Sequence, residues 1–179
     1  MKEILRISDR VTNSKQSSTV GIADIATKLR ESGEVVYDFS AARAFEPTPD
    51  YIIEEAIRAM KAGDTHQTMA LGTTGYRHAI AEKLKRENSI IADPEREIIA
   101  TMGVKQGLTI SFLALINPGD EVIIEDPCFP SYKQLIYYLG GIPVAVPLKA
   151  ENKFRWTLND LESAVSSKTK AILFNSPQN

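Results

Sequence analysis

A glycine and a lysine at the start of a predicted helix are the residues that most directly suggest chemistry. Residues 97–101 form a short apolar run typical of a buried strand. Gly103 follows with the freedom to make a tight bend, and apolar residues recur at helical spacing after Lys105, namely Leu108, Phe112, Leu115 and Ile116. Unpaired N–H groups and the helix dipole favour an anion at such a start. A phosphate site and an ordinary strand-to-helix junction with an exposed lysine both fit this stretch.

The elements that must position these residues alternate between strand and helix. Further apolar runs predict strands at residues 121–125, 142–146 and 170–174, and helices are predicted at residues 131–139 and 158–165. This order predicts an α/β fold, a three-layer αβα arrangement with a mainly parallel sheet. Upstream, the pattern predicts an arm over residues 1–18, helices at 19–32, 50–60 and 75–88, a short strand at 35–39 and a loop at 64–74.

The carboxyl ends of parallel strands are where ligands collect in such sheets. Three segments should therefore meet there: Gly103, Val104 and Lys105 after the first strand, residues 126–129 after the second, and residues 175–179 after the last. They supply backbone donors, the aromatic ring of Phe129 and the amide of Asn179, which are the groups needed to hold a flat phosphorylated ring. Phe129 as a core residue and Asn179 as a turn residue remain alternative roles.

Composition narrows the class of protein. The 179 residues are 43% hydrophobic and 25% charged, which are globular values, and the net charge of −2 provides no basic field for nucleic acid. A single cysteine, Cys128, rules out an intrachain disulfide framework and fits a reducing compartment. No apolar run reaches the length of a signal peptide core or a membrane span, so we expect a cytoplasmic protein. The histidines His66 and His78 lack ligand spacing, so no metal is expected.

Consecutive stretches of the chain resemble one known family. From about residue 38 to residue 179 the chain is similar, in order, to class I/II aminotransferases, which are fold-type-I enzymes dependent on pyridoxal 5'-phosphate (PLP); the matching stretches are PTPDYIIEEAIRAMKAG, GYRHAIAEKLKREN, EIIATMGVKQGL, NPGDEVIIEDPCFPSY, GGIPVAVPL and LESAVSSKTKAILFNSPQN. The resemblance implies that Gly103, Val104 and Lys105 bind the cofactor phosphate and that Phe129 stacks on the pyridine ring. It also implies that the Asn179 amide donates to the ring hydroxyl oxygen.

The resemblance further implies a homodimer, in which a neighbouring subunit's loop at residues 65–68 approaches the phosphate. From the residues alone, plain turn chemistry explains that loop equally well. Two positions depart from the family pattern. Ala42 stands where a glycine usually presents its backbone N–H to the substrate carboxylate, and Gln67 stands where a tyrosine usually contacts the phosphate. A narrower substrate cleft and one lost phosphate contact are the expected consequences.

In the family, the lysine that bonds covalently to the cofactor, the aspartate at the ring nitrogen and the substrate-binding arginine all follow the segment that ends at Asn179. The chain is thus expected to be the amino-terminal part of an enzyme that exchanges an amino group between an amino acid and a 2-oxo acid, and to be inactive alone. Residues 1–45 would be an arm and helix of the small domain, and residues 46–179 the first part of the PLP-binding large domain. A complementary chain, a dimer partner or a longer parent protein would cover its apolar edges.

Two alternatives stay open. The same half-domain serves other fold-type-I enzymes, namely lyases, decarboxylases and synthases that form carbon–carbon bonds. A non-catalytic truncated paralogue is the other.

Overall fold

The computed structural model describes residues 7–12, 18–39 and 45–178. Ala42 and Asn179, both predicted site residues, lie outside these ranges. The chain divides into two compact units, one of residues 1–41 with 108–179 and the other of residues 42–107. The predicted domain boundary at residue 45 concerns the domains of a whole enzyme and stays a prediction.

The first unit contains a three-stranded parallel sheet. Its strands are β1 (Glu121–Asp126), β2 (Ile142–Pro147) and β3 (Thr169–Leu173), in the order β2-β1-β3. Ile123 of the central strand pairs with Val144 on one side and Ile172 on the other. The apolar run of β1 is fully buried because a central parallel strand is covered on both faces. The predicted parallel sheet with flanking helices is thus confirmed.

Seven α-helices are present in the described residues: α1 (Asp9–Thr12), α2 (Ser18–Glu31), α3 (Asp50–Lys61), α4 (Thr74–Asn88), α5 (Gly103–Leu115), α6 (Pro130–Tyr138) and α7 (Leu158–Ala164). A short 3₁₀-helix spans Ala150–Asn152. The five predicted helices other than α5 begin and end within one residue of the observed bounds, while α5 begins two residues earlier than expected, at Gly103.

The core of the first unit lies between the sheet and the helices α5 and α6. Phe112 and Ile116 pack with Val122 and Ile124 of β1 and with Ile136 of α6. Leu115, which the helical spacing grouped with Phe112 and Ile116, is instead 50% exposed. Phe112 and Ile116 are four residues apart and so share a helix face, and a residue at position 115 is rotated by about a quarter of a turn from the centre of that face.

Two predicted strands are wrong. Residues 97–101 form no strand, although Ile98 is buried and the Ala100 N–H donates to the Leu71 carbonyl at 2.9 Å. The other, at residues 35–39, also forms none, and Phe39 there is 95% exposed. An apolar run becomes a strand only where a neighbouring strand accepts its ladder of hydrogen bonds. Neither run has such a neighbour among the described residues.

Among the described helices, none combines the length and the apolar character that crossing a bilayer requires.

Candidate functional site

The start of α5 is held in a bend that only glycine adopts easily. Gly103 has a φ of +78°, in the left-handed region, and its N–H donates to the Thr101 carbonyl at 2.9 Å. The Thr101 hydroxyl in turn donates to the Gly103 carbonyl at 3.1 Å. Gln106 reaches back from the helix and accepts from the Met102 N–H at 2.5 Å. A Cβ on Gly103 would meet nothing within 4 Å, so the backbone angle and not crowding requires glycine here.

The donor set at this helix start suits a phosphate. Val104 and Lys105 occupy the first helical turn, both are exposed, and that turn contains no acidic residue. Backbone N–H groups and an ammonium group are hydrogen-bond donors that an anionic phosphate accepts from. The lysine opposes the helix dipole in the absence of an anion and complements an anion when one is bound.

The loop that carries Gln67 leads into α4 in the same compact unit. Gln67 is exposed, and the preceding His66 ring lies with Nδ1 3.0 Å from the Gly63 carbonyl. The far end of the loop is fixed at Gly72, whose φ is +94°. A Cβ there would lie 2.6 Å from the Cβ of Ala100, so this close approach excludes a side chain.

A buried arginine joins this loop to the segment that precedes Gly103. The Arg77 side chain is 1% exposed, and its guanidinium donates to the Pro94 carbonyl, to the Gly72 carbonyl at 3.4 Å and to the Glu95 carboxylate at 3.1 Å. It holds the pKa of Glu95 below its usual range, with His78 at 3.2 Å as the second cause.

The sequence contains a signal that Arg77 faces inward, although a charged residue is usually expected at the surface. Arg77 lies three residues before Ile80 and seven before Leu84, which is the spacing of one helix face. The pattern therefore places an arginine on the inward side of α4.

The segment after β1 carries the predicted aromatic residue. Phe129 is half-buried and is the N-cap residue of α6, and its ring centroid lies 5.6 Å from that of Tyr132 at 67°. Lys133 Nζ lies 3.2 Å from the Asp126 carboxylate. Burial raises the pKa of the Cys128 thiol. A half-buried aromatic ring at a strand end is of the kind that stacks on a flat ligand.

The segment after β3 meets the segment after β1 through a side chain. The amide nitrogen of Gln178 donates to the Glu125 carboxylate at 2.5 Å and to the Pro127 carbonyl at 3.1 Å. The carboxyl ends of these two strands therefore converge, as the topology predicts. Gln178 lies within the predicted segment 175–179, but sequence reasoning assigned no role to it or to Glu125.

The predicted site residues within the described ranges belong to two different compact units. Gly103, Val104, Lys105 and Gln67 belong to one compact unit and Phe129 to the other, and their roles stay predictions. Within the described residues, no group of three histidine, cysteine or acidic side chains could hold a metal ion.

Comparison with known proteins identifies the family of this chain. The model of the family "Aminotransferase class I and II" matches residues 35–179. The probable aspartate/prephenate aminotransferase of Aquifex aeolicus is 40% identical over 173 residues, which are 97% of this chain and 44% of that protein. The aspartate aminotransferase of Musicola paradisiaca is 38% identical over 97% of this chain and 43% of its own length.

A solved structure is also similar. The aspartate aminotransferase from Thermus thermophilus with maleate superimposes with a TM-score of 0.93 at 35% identity, covering 98% of this chain and 46% of that one. The chain therefore spans less than half the length of the relatives it matches. Because the family model covers most of its residues, the chain belongs to the class I and II aminotransferases.

Proposed function

We propose that this chain is the amino-terminal, cofactor-positioning part of a PLP-dependent aminotransferase, which transfers an amino group between an amino acid and a 2-oxo acid. The observation that carries the proposal is the start of α5, where a glycine with positive φ and an exposed lysine form a phosphate-type donor set in a chain of this family.

Each proposed site residue has its own task. Gly103 provides the bend of the phosphate site, the N–H groups of Val104 and Lys105 and the Lys105 ammonium donate to the phosphate of PLP, and the Phe129 ring stacks on its pyridine. Asn179 donates its amide to the ring hydroxyl oxygen. PLP, when bound, supplies an electron sink for the bonds around the amino acid's α-carbon. Lys105 neighbours the phosphate and does not bond covalently to the cofactor, so these residues position the reaction and transfer no proton.

The names of the relatives support a substrate class. Curated relatives carry the names aspartate aminotransferase and aspartate/prephenate aminotransferase, which supports an acidic amino donor for the protein of this chain. The Ala42 N–H faces the substrate carboxylate in this proposal, with less room than a glycine leaves. A partner subunit completes the phosphate site with its Gln67 loop, so the enzyme is a homodimer. The single Cys128 supports a cytoplasmic location.

The test uses the natural full-length protein, identified by intact mass and loaded with PLP. Aspartate added without an acceptor should release one equivalent of 2-oxo acid for each bound cofactor. Loss of carboxylate as carbon dioxide, or release of ammonia, would instead identify another fold-type-I reaction. Failure to develop a visible cofactor band with PLP would remove the enzyme proposal.

A matched pair of variants tests the phosphate site. Lys105→Ala should raise the PLP dissociation constant by about tenfold, because a charge-assisted hydrogen bond is lost. Lys168→Ala removes an exposed lysine immediately before β3, a residue with no proposed role at the site, and should leave PLP affinity unchanged. Equal cofactor affinities for both variants would contradict the assignment of the phosphate to this turn.

A further inference from the structure

The Gln178 amide has a single orientation that satisfies its neighbours. Its nitrogen faces two acceptors, the carboxylate of Glu125 and the carbonyl of Pro127, at 2.5 and 3.1 Å. Its oxygen accepts from the Asn175 side-chain nitrogen at 3.2 Å. A flipped amide would place oxygen against oxygen at the first two contacts. The side chain is therefore fixed at both of its polar ends.

Glu125 is a buried carboxylate near the end of β1. It is 6% exposed and follows three fully buried residues of β1. Burying a carboxylate is costly unless a donor compensates the lost water. The Gln178 amide supplies such a donor from the neighbouring strand's continuation. Breaking this contact leaves a buried acceptor unsatisfied, so the contact is expected to persist.

The contact between Gln178 and Glu125 lies beyond the last paired residues of β1 and β3. Paired residues of β1 and β3 end at Ile124 and Leu173, and Glu125 and Gln178 follow that last pair. Gln178 immediately precedes Asn179 in the chain, and Pro127 lies two residues before Phe129. One side chain thus ties together the two segments that carry the proposed contacts to the cofactor ring.

We propose that Gln178 and Glu125 are positioning residues. They hold the segments that carry Phe129 and Asn179 in fixed positions, so that the Phe129 ring and the Asn179 amide contact the same PLP ring. This inference rests on the proposed function and deepens it. Pre-ordering two loops lowers the entropy lost when a ligand binds between them. Loss of the tie should therefore weaken cofactor binding even though neither side chain touches the cofactor.

The experiment exchanges the partners of this pair in the full-length enzyme. Gln178→Glu sets two carboxylates against each other and should raise the PLP dissociation constant by about tenfold or more. The double variant Glu125→Gln with Gln178→Glu restores an amide–carboxylate pair in the reverse direction. It should recover most of that affinity, apart from the bond to the Pro127 carbonyl, for which a carboxylate at position 178 has no donor. Asn159→Asp makes the same chemical change at an exposed position of α7 and should leave affinity unchanged.

A second variant tests the proposal if Gln178→Glu folds poorly. Gln178→Met keeps the length of the side chain and removes its hydrogen bonds without adding charge, and it should also raise the dissociation constant, by about threefold to tenfold. The absorption band of bound PLP should shift in both single variants, because the ring's hydrogen bonding changes. A changed cofactor affinity and absorption band in a variant whose apoprotein melts at the wild-type temperature is a result that a merely structural role does not give.

The outcomes separate the two proposals. If the wild-type protein neither binds PLP nor releases a 2-oxo acid, the proposed function fails. If the wild type is active and both single variants bind PLP with unchanged affinity and spectrum, the positioning role is overturned. That role is equally overturned if the apoprotein variants only melt at lower temperature, with no change in cofactor affinity or spectrum.

Discussion

At the scale of single residues, the backbone angle at Gly103 gives a direct test of the α5 turn. Because a Cβ there would meet nothing within 4 Å while φ is +78°, Gly103→Ala should cost only the conformational penalty of the left-handed region. We expect a loss of about 1 kcal/mol in the free energy of unfolding, measured by urea denaturation, and weaker PLP binding.

Gly21→Ala is the matched control for this substitution. Gly21 lies within α2, has no positive φ and has open space around its Cα. Alanine there should stabilise the protein by about 0.5–1 kcal/mol because it favours the helix. A similar stabilisation at position 103 would show that the bend does not need glycine.

Gly72 combines the same kind of backbone angle with a close contact. Gly72→Ala adds a Cβ at 2.6 Å from the Ala100 Cβ to a φ of +94°, so we expect about 3 kcal/mol of destabilisation in urea. Adding Ala100→Gly removes that contact, and the next nearest atom is then 3.7 Å away. The double variant should be more stable than Gly72→Ala alone, whereas additive losses would contradict the steric explanation.

At the scale of elements, Arg77 decides how the Gln67 loop is attached to α4. Arg77→Met removes the guanidinium from the carbonyls of Gly72 and Pro94, and buried acceptors left unpaired destabilise a fold. We expect a loss of about 2–4 kcal/mol and faster amide hydrogen exchange in residues 64–74 and 93–101. Arg86→Met, whose side chain is 68% exposed, should leave exchange in both segments unchanged.

The same cluster predicts a pH dependence. The pKa of Glu95 is lowered in the folded protein, chiefly by Arg77. Its stabilising contribution is therefore present above the unfolded pKa of about 4.3 and is lost as pH falls through the folded pKa. The stability difference between wild type and Arg77→Met should narrow below about pH 4. A difference that widens on acidification would contradict the ion pair.

The elements also show what the sequence can and cannot predict. The apolar run of β1 predicted a strand correctly because both of its neighbours, β2 and β3, are present to pair with it. Residues 97–101 have a similar pattern and form no strand, because strand formation depends on a distant partner that composition does not reveal. Residue type and position predicted Gly103 and Phe129 as site residues, and their roles stay predictions. The contact between Gln178 and Glu125 joins residues 53 positions apart, and no local sequence pattern predicts it.

At the scale of the whole molecule, many large apolar side chains of the described residues are exposed. The amphipathic helix α3 has no buried residue, and its apolar stripe is 41–58% exposed at Ile52, Ile53, Ile57 and Met60. Contiguous apolar surface of this kind marks a face that another surface covers. The 179-residue chain purified alone should therefore bind a hydrophobic dye and self-associate, as measured by dye fluorescence and by light scattering after size-exclusion chromatography.

Two double variants, neither of which changes the net charge, test whether α3 causes the dye binding and the self-association. Ile53→Lys with Ile57→Glu places both charges on the apolar stripe without changing net charge, and it should lower dye binding and shift the chain towards the monomer. Glu54→Lys with Lys61→Glu exchanges charges that are already exposed on the same helix, so association should persist. Equal association of the two double variants would show that another apolar surface, such as the exposed Ile22 and Ile25 of α2, drives it.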